Sequence, residues 1–333
     1  MAADKIIATW KKGNFLPIYW LEGDEPYFID KVINYAEHHI LKEEEAAFNL
    51  SIFYGRDANW ADIVNACKRY PMFAEKQVVL LKEAQHLKDI AKLESYINTP
   101  LTSTIFVVGY KGKIDGRTKF AQTIKAKGEV LSTKKMNDND LSFWANNIVT
   151  QLGLTITQKA LMLLIEHIGN DLSRIENELE KLSVNLKTSK NITEDAIEQF
   201  IGISKKYNSF ELQKALGRKD FTKAMQIIDY FEKNKDDEPI QRVLATLYSF
   251  FSKVYSTFSI GTTDKKTIAT TLGIPAFFVD EYIQASHNYG YQGVEKNLLL
   301  LYECNLKSVG INNASSDSAA LMKELIVKMM NNI

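Results

Sequence analysis

Read from its amino terminus, the chain alternates short, unbroken apolar runs with amphipathic stretches until about residue 138; beyond that only helical spacing remains. Pro17-Ile18-Tyr19-Trp20-Leu21 runs into Glu22-Gly23-Asp24-Glu25-Pro26, the signature of a strand feeding a turn. Asp24 is placed to cap the helix that follows and Pro26 to open it, with Phe28, Ile29, Val32, Ile33 and Ala36 forming one apolar face. Ser51-Ile52-Phe53-Tyr54-Gly55 reads as a second strand. Trp60, Ile63, Val64 and Cys67 then fall at i, i+3, i+4 and i+7 of a helix. That helix is expected to stop at Tyr70, because a residue before proline is pushed out of the helical region. A strand at 78–81, a helix at 90–97, a strand at 104–108, a helix at 120–126 and a strand at 129–131 complete the alternation. Such a β/α order predicts a parallel sheet with helices on both faces. The strands are apolar throughout, as strands buried on both sides must be.

From residue 141 the periodicity is helical only: 141–152, 157–168, 171–186 and 193–201, with Asp or Thr placed as caps. A short polar stretch at 202–209 reads as a linker. Helical spacing resumes at 210–216, 221–234, 239–258, 267–272, 275–289, 295–307 and 318–330. Three domains are therefore expected: an α/β domain at 1–138, a small helical domain at 139–205 and a larger helical domain at 210–333. No fixed-period repeat or long low-complexity segment interrupts them.

Composition narrows the function. Of 333 residues, 45% are hydrophobic and 25% charged, ordinary for a globular protein. Lys plus Arg equals Asp plus Glu at 41 each, so no global field recruits nucleic acid, and any DNA contact must be local or come through partners. Cys67 and Cys304 stand apart in apolar helical patterns, without a disulfide framework, which suits a reducing cytosol. No signal peptide or membrane-length apolar run is present.

An α/β domain followed by helices invites a nucleotide-binding reading, and the phosphate chemistry argues against it. A phosphate loop needs Gly-x-x-x-x-Gly-Lys-Ser/Thr after the first strand, so that backbone N–H groups and a lysine cradle the anion. Here Glu22-Gly23-Asp24-Glu25-Pro26 puts three carboxylates and a proline at that position. Gly112-Lys113-Ile114-Asp115-Gly116-Arg117-Thr118 has the wrong glycine spacing and follows a late strand. After the third strand, where a magnesium-binding acid belongs, stands Lys82-Glu83. The scaffold is of nucleotide type and the site is dead. His38, His39, His86, His167 and His287 are scattered without metal-ligand spacing, and no nucleophile elbow or dinucleotide fingerprint occurs. His38-His39 reads as a solvent-facing pair at a helix end, and Glu43-Glu44-Glu45 as a solvated charge run.

Two surface features remain. Lys68-Arg69-Tyr70-Pro71-Met72-Phe73-Ala74-Glu75-Lys76-Gln77 sets a Met and a Phe side by side on a connection between a helix and a strand. Such a pair suits a partner's pocket; the residues by themselves favour both side chains folding back into the core. Between Lys111 and Lys135 stand Lys111, Lys113, Arg117, Lys119, Lys125, Lys127, Lys134 and Lys135 against Asp115 and Glu129. The commoner meaning of such a patch is a solvated surface; the functional one is phosphate-backbone contact, salt-dependent and blind to base sequence.

Taken in order, these segments resemble the delta subunit family of the bacterial DNA polymerase III clamp loader. Ile18-Tyr19-Trp20-Leu21-Glu22-Gly23-Asp24-Glu25 is similar to that family's first strand and degenerate phosphate-loop position. Tyr70-Pro71-Met72-Phe73-Ala74-Glu75 with Val78-Val79-Leu80-Leu81-Lys82 resembles its clamp-binding element and next strand. Ile114-Asp115-Gly116-Arg117-Thr118-Lys119 is similar to its Asp-x-Arg-x-Lys segment. Gly169-Asn170-Asp171-Leu172 and Glu178-Leu179-Glu180-Lys181-Leu182 resemble its second domain; Ile268-Ala269, Leu272-Gly273-Ile274 and Asn305-Leu306-Lys307-Ser308 resemble its third. The resemblance implies an AAA+-like module with a parallel sheet and no functional phosphate loop, a helical lid domain, and a C-terminal helical collar for oligomerisation. It implies a cytoplasmic replication protein that binds and opens the sliding clamp (the beta subunit) without hydrolysing ATP and without a cofactor of its own, within a DNA-directed DNA polymerase holoenzyme. Its partners would be the gamma/tau and delta prime subunits through the collar, and primer-template DNA within the complex. Tyr70, Pro71, Met72 and Phe73 would be the clamp-binding residues, and Lys111, Lys113, Arg117 and Lys119 the candidates for DNA contact. Two other readings stay open on residues alone: an active AAA+-type ATPase, and a DNA-binding adaptor using the 111–135 patch.

Overall fold

A computed structural model describes residues 2–186, 189–204, 206–234, 239–262, 264–311 and 317–331. The chain divides into two compact units, Met1–Asn137 and Asp138–Ile333. Lys205, the last residue of the expected lid, lies outside the described residues.

The first unit opens with α1 (Ala2–Trp10), which buries Ala3, Ile6 and Trp10. Then come β1 (Ile18–Gly23), α2 (Pro26–His39), α3 (Glu43–Asn49), β2 (Leu50–Tyr54), α4 (Trp60–Cys67), β3 (Gln77–Lys82), α5 (Glu94–Ile97), β4 (Thr104–Lys111), α6 (Lys119–Lys127) and β5 (Glu129–Thr133). All five strands are parallel, in the order β2-β3-β4-β1-β5. β1 and β4 are central and their apolar residues fully buried, with Ile18 opposite Phe106 and Trp20 opposite Val108. This is the alternating apolar-run pattern made solid: a parallel sheet must be covered on both faces. On one face Trp20, Val79, Leu81, Phe106 and Val108 pack with Ile63, Cys67, Leu93, Tyr96, Phe120 and Ile124.

Three local expectations are corrected. The helix after β1 is capped by Glu25, whose carboxylate accepts from the Tyr27 N–H, with Pro26 in its first turn; Asp24 instead faces Lys113. The stretch 90–97 is one tight 3-10 turn at Ile90–Leu93 running into the single α-helical turn of α5. α4 ends at Cys67, three residues before Tyr70, for a reason given below. The glutamates at 43–45 form the first turn of α3, where negative charge faces the helix's amino-terminal N–H groups, and Glu45 reaches back to the Lys42 N–H.

The second unit begins with α7 (Asp138–Gln151), β6 (Thr155–Ile156), α8 (Gln158–Ile168), α9 (Leu172–Asn185), β7 (Asn191–Ile192) and α10 (Glu194–Ile201). Thr157, Asp171 and Thr193 cap α8, α9 and α10 by accepting from Ala160, Arg174 and Ala196 N–H groups. α11 (Ser209–Gly217), α12 (Phe221–Lys233), α13 (Ile240–Thr257), α14 (Lys265–Leu272), α15 (Val279–Ser308) and α16 (Ser318–Asn331) follow. The stretch before α11 is less of a free linker than its polarity predicts: Ile203 and Asn208 are buried, and Asn208 caps α11. Leu216, Ile228, Phe231, Leu247, Phe250, Phe251, Leu301 and Met329 form one large core in this part of the unit.

α15 is two helices joined at Gly290, whose φ of 65° and ψ of 171° are open essentially only to glycine. Just before the break, Asn288 and Tyr289 donate to the carbonyls of Gly217 and Leu216, fixing the first half to the end of α11. Replacing Gly290 with Ala should lower the unfolding free energy of this unit by about 1–3 kcal/mol, since open space around the new Cβ cannot relieve the backbone. Denaturant unfolding followed by circular dichroism checks this; an unchanged midpoint would show that the kink tolerates a side chain.

Candidate functional site

Nucleotides bind open parallel sheets at the carboxyl ends of the strands, where strand order reverses. Here that crevice is closed by the chain itself. Gly23, at the end of β1, donates to the Gly112 carbonyl (2.7 Å) and accepts from the Gly112 N–H (3.0 Å). The Asp24 N–H donates to the Thr133 carbonyl (3.2 Å) and the Glu25 N–H to the Thr133 hydroxyl (3.3 Å). The backbone donors that would cradle a phosphate are thus already bonded. The approach is also too close for a side chain, because a Cβ on Gly23 (φ +135°) would stand 2.1 Å from the Thr133 oxygen.

Charges of the 111–135 patch are drawn into the same end of the sheet. Lys111 bridges Asp30 (3.1 Å) and Glu83 (2.7 Å). Burial works against its ammonium, and the hydrogen bonds to Glu83 and Asp30 outweigh that, holding Lys111 above the ordinary lysine range. Glu83 is correspondingly held below the usual carboxylate range, first by its hydrogen bond from Lys111 and, against the cost of burial, by another from Gln85. Lys113 faces Asp24 at 3.5 Å, and Lys119 faces Glu94 at 3.7 Å. Arg117 grips Asp115 through Nε and a terminal nitrogen (3.0 and 2.8 Å), ordering the turn that leads into α6. All four basic candidates therefore have acidic partners within the chain. Among the described residues no cluster of His, Cys, Asp or Glu has the geometry of a metal site, and no helix is long and apolar enough to cross a membrane.

At the opposite edge of the sheet, where β3 begins, the chain presents the Met-Phe segment. α4 stops at Cys67 because its last carbonyls are taken by side chains. Gln77, 5% exposed, donates from Nε2 to the Arg69 carbonyl (2.6 Å) and the Thr104 hydroxyl (2.7 Å), with the Ala66 carbonyl at 3.2 Å. Thr104 in turn donates to the Cys67 carbonyl (2.9 Å). Orphan carbonyls at a helix end need such partners, and here they arrive before another helical turn forms. The next tie is Asn49, the last residue of α3 and 3% exposed. Its Oδ1 accepts from the Met72 N–H (2.6 Å), and its Nδ2 donates to the Met72 carbonyl (2.8 Å) and to the Glu45 carbonyl (3.0 Å). One buried amide thus holds both polar groups of Met72 and uses both of its own N–H donors.

With the backbone fixed from the core side, the side chains point out. Tyr70 is 78% exposed, Met72 53% and Phe73 94%, with Pro71 half-buried between them. This overturns the core placement that the residues by themselves favour for Met72 and Phe73. Burial was taken up by the strands on either side, leaving these two outside. Phe73 has φ +54°, a left-handed conformation uncommon outside glycine, asparagine and aspartate. The structure brings Tyr70, Pro71, Met72 and Phe73 into one loop, away from Lys111, Lys113, Arg117 and Lys119 at the far ends of the strands. Asn49 and Gln77 were missed from sequence; the signal available was a lone polar residue at the start or end of an apolar strand.

With this geometry in hand, comparisons with known proteins become informative. The family described as "DNA polymerase III, delta subunit" matches residues 19–134, which span the closed crevice and the presented loop. The chain is 26% identical to DNA polymerase III subunit delta of Bacillus subtilis, over 81% of each chain. It is 21% identical to a probable DNA polymerase III subunit delta of Aquifex aeolicus, over 72% of this chain and 70% of that one. Among solved structures, the clamp loader delta protein of Bacillus subtilis superposes over 99% of both chains with a TM-score of 0.58 at 22% identity, sharing the fold. The class this fold resembles is that of clamp loader proteins. Within it, residues 19–134 are similar to the DNA polymerase III delta subunit family.

Asn49→Ala should leave the Met72 N–H and carbonyl without their partner, costing about 1–3 kcal/mol of stability. Amide exchange at Met72 should quicken by roughly tenfold or more as the loop opens locally. Exchange read by mass spectrometry on peptides covering 68–76 decides it; unchanged protection would mean that Asn49 does not hold the loop.

Proposed function

We propose that this chain is the clamp-opening subunit of its loader: it docks on the sliding clamp through Met72 and Phe73, shaped by Tyr70 and Pro71, and does not itself hydrolyse ATP. The observation that carries the reading is the Asn49-held loop, which keeps a Phe side chain 94% exposed on a fixed backbone. An exposed aromatic normally loses entropy on docking; here the backbone share of that cost is already met by the fold. Burying one large apolar side chain contributes about 1.5–3 kcal/mol, so two adjacent anchors supply several. Opening then follows from differential binding: the anchors favour a clamp interface geometry that a closed ring cannot adopt, and the equilibrium shifts by that difference in affinity.

The absence of hydrolysis is supported by the bonded N–H groups of Gly23, Asp24 and Glu25 and by the carboxylates beside them. The expected division into residues 1–138, 139–205 and 210–333 is kept in the proposal, with the last acting as the collar that meets gamma/tau and delta prime subunits. Primer-template DNA would reach Lys111, Lys113, Arg117 and Lys119 by phosphates replacing their present carboxylate partners, an exchange that surface ion pairs resist little.

Phe73→Ala should weaken binding of the full chain to its cognate sliding clamp by about tenfold or more, with an unchanged melting temperature because the side chain is exposed. An unaltered dissociation constant would sink the docking assignment. Purified chain should hydrolyse ATP no faster than a blank, with Lys113→Ala making no difference; turnover lost in that variant would instead establish an ATPase.

A further inference from the structure

Among the described residues of the first unit, the exposed phenylalanines are Phe48 and Phe73, at 67% and 94%. They lie far apart in sequence, yet each is one residue from the same junction. Phe48 precedes Asn49, Phe73 follows Met72, and Asn49 and Met72 are joined by two hydrogen bonds of 2.6 and 2.8 Å. Neighbouring Cα atoms are about 3.8 Å apart, so both rings stand within side-chain reach of the one paired site. Scattered apolar residues on a surface need no explanation, but a contiguous group does. Phe48, Tyr70, Met72 and Phe73 are exposed apolar side chains on the two segments that Asn49 and Met72 join.

Phe48, like Phe73, sits next to a residue held by the Asn49–Met72 pair. It stands on α3, whose first turn is braced by Glu45 and whose last residue is the buried Asn49. Its neighbour Ala47 is also exposed and too small to cover it. We propose that Phe48 is a third apolar anchor for the sliding clamp, entering a second apolar depression beside the one that receives Met72 and Phe73. The inference rests on the docking reading above and extends it from a loop to a two-segment surface. Aromatic anchors on fixed backbone carry most interface energy, and two such anchors locked together by Asn49 would meet the partner as one unit.

The test is a mutant cycle in the full-length chain: wild type, Phe48→Ala, Phe73→Ala and the double variant, each titrated against the cognate clamp. Phe48→Ala should weaken binding by about tenfold, and Phe48→Leu should retain most of the affinity. Wild-type affinity in Phe48→Ala beside weakened binding in Phe73→Ala overturns this inference and leaves the docking reading intact. Wild-type affinity in Phe73→Ala overturns the docking reading and this inference with it. Should Phe48→Ala lower the melting temperature, Ala47→Lys takes its place, setting a long cation beside an intact Phe48. Weakened binding there supports the anchor, and full affinity counts against it.

Discussion

The presented loop depends on one buried carboxamide. Asn49 satisfies both backbone polar groups of Met72, and a buried backbone group left unpaired is expensive enough to enforce that arrangement. Gln77 and Thr104 do the same for the carbonyls at the end of α4. Since the tethers run between backbone and core, they consume none of the loop's side chains. The apolar groups of Tyr70, Met72 and Phe73 are left outside by a structure that is otherwise fully accounted for. Exposure here is a product of the fold, in the same way that burial is elsewhere.

β3 connects two very different ends. It starts at Gln77, beside the presented loop, and stops at Lys82, next to the Lys111–Glu83 pair that helps close the crevice. Six residues of strand at about 3.3 Å each separate them. One end of the sheet is stitched shut with backbone hydrogen bonds and ion pairs; the other presents the exposed side chains of Tyr70, Met72 and Phe73. Within this unit, then, the exposed loop and the closed crevice lie at opposite ends of the strands, and the N–H groups of Gly23, Asp24 and Glu25 in that crevice are already bonded.

Much of the fold was legible from apolar spacing. β1, β3 and β4 are continuous apolar runs because they are covered on both faces, and Thr157, Asp171 and Thr193 announced helix starts by chemistry that acts within three residues. The turn after β1 was legible as a turn for the same reason, its glycine, acids and proline being adjacent. What stayed hidden acts at a distance. Asn49 meets Met72 across 23 positions, and nothing local distinguishes it from any other asparagine at the end of a short helix. Without that tie, Met72 and Phe73 look like core residues. The end of α4 was misplaced on the same ground: Pro71 was visible, but Gln77 and Thr104 intercepted the helix first. α1, spaced for burial by Ala3, Ile6 and Trp10, is too short for periodicity to stand out.

The left-handed backbone at Phe73 sets the aims of a protein engineer against those of the cell. Glycine or asparagine adopts that conformation with less strain, and relief of this kind typically contributes several tenths to about 1 kcal/mol. A campaign that ranks variants of this chain by heat resistance alone will therefore drift toward Phe73→Gly or Phe73→Asn, and each round of apparent improvement will strip the loop of its ring. Heat resistance and an exposed ring are opposing objectives at this position, so a stabilised form that keeps Phe73 has to draw its gains from other sites.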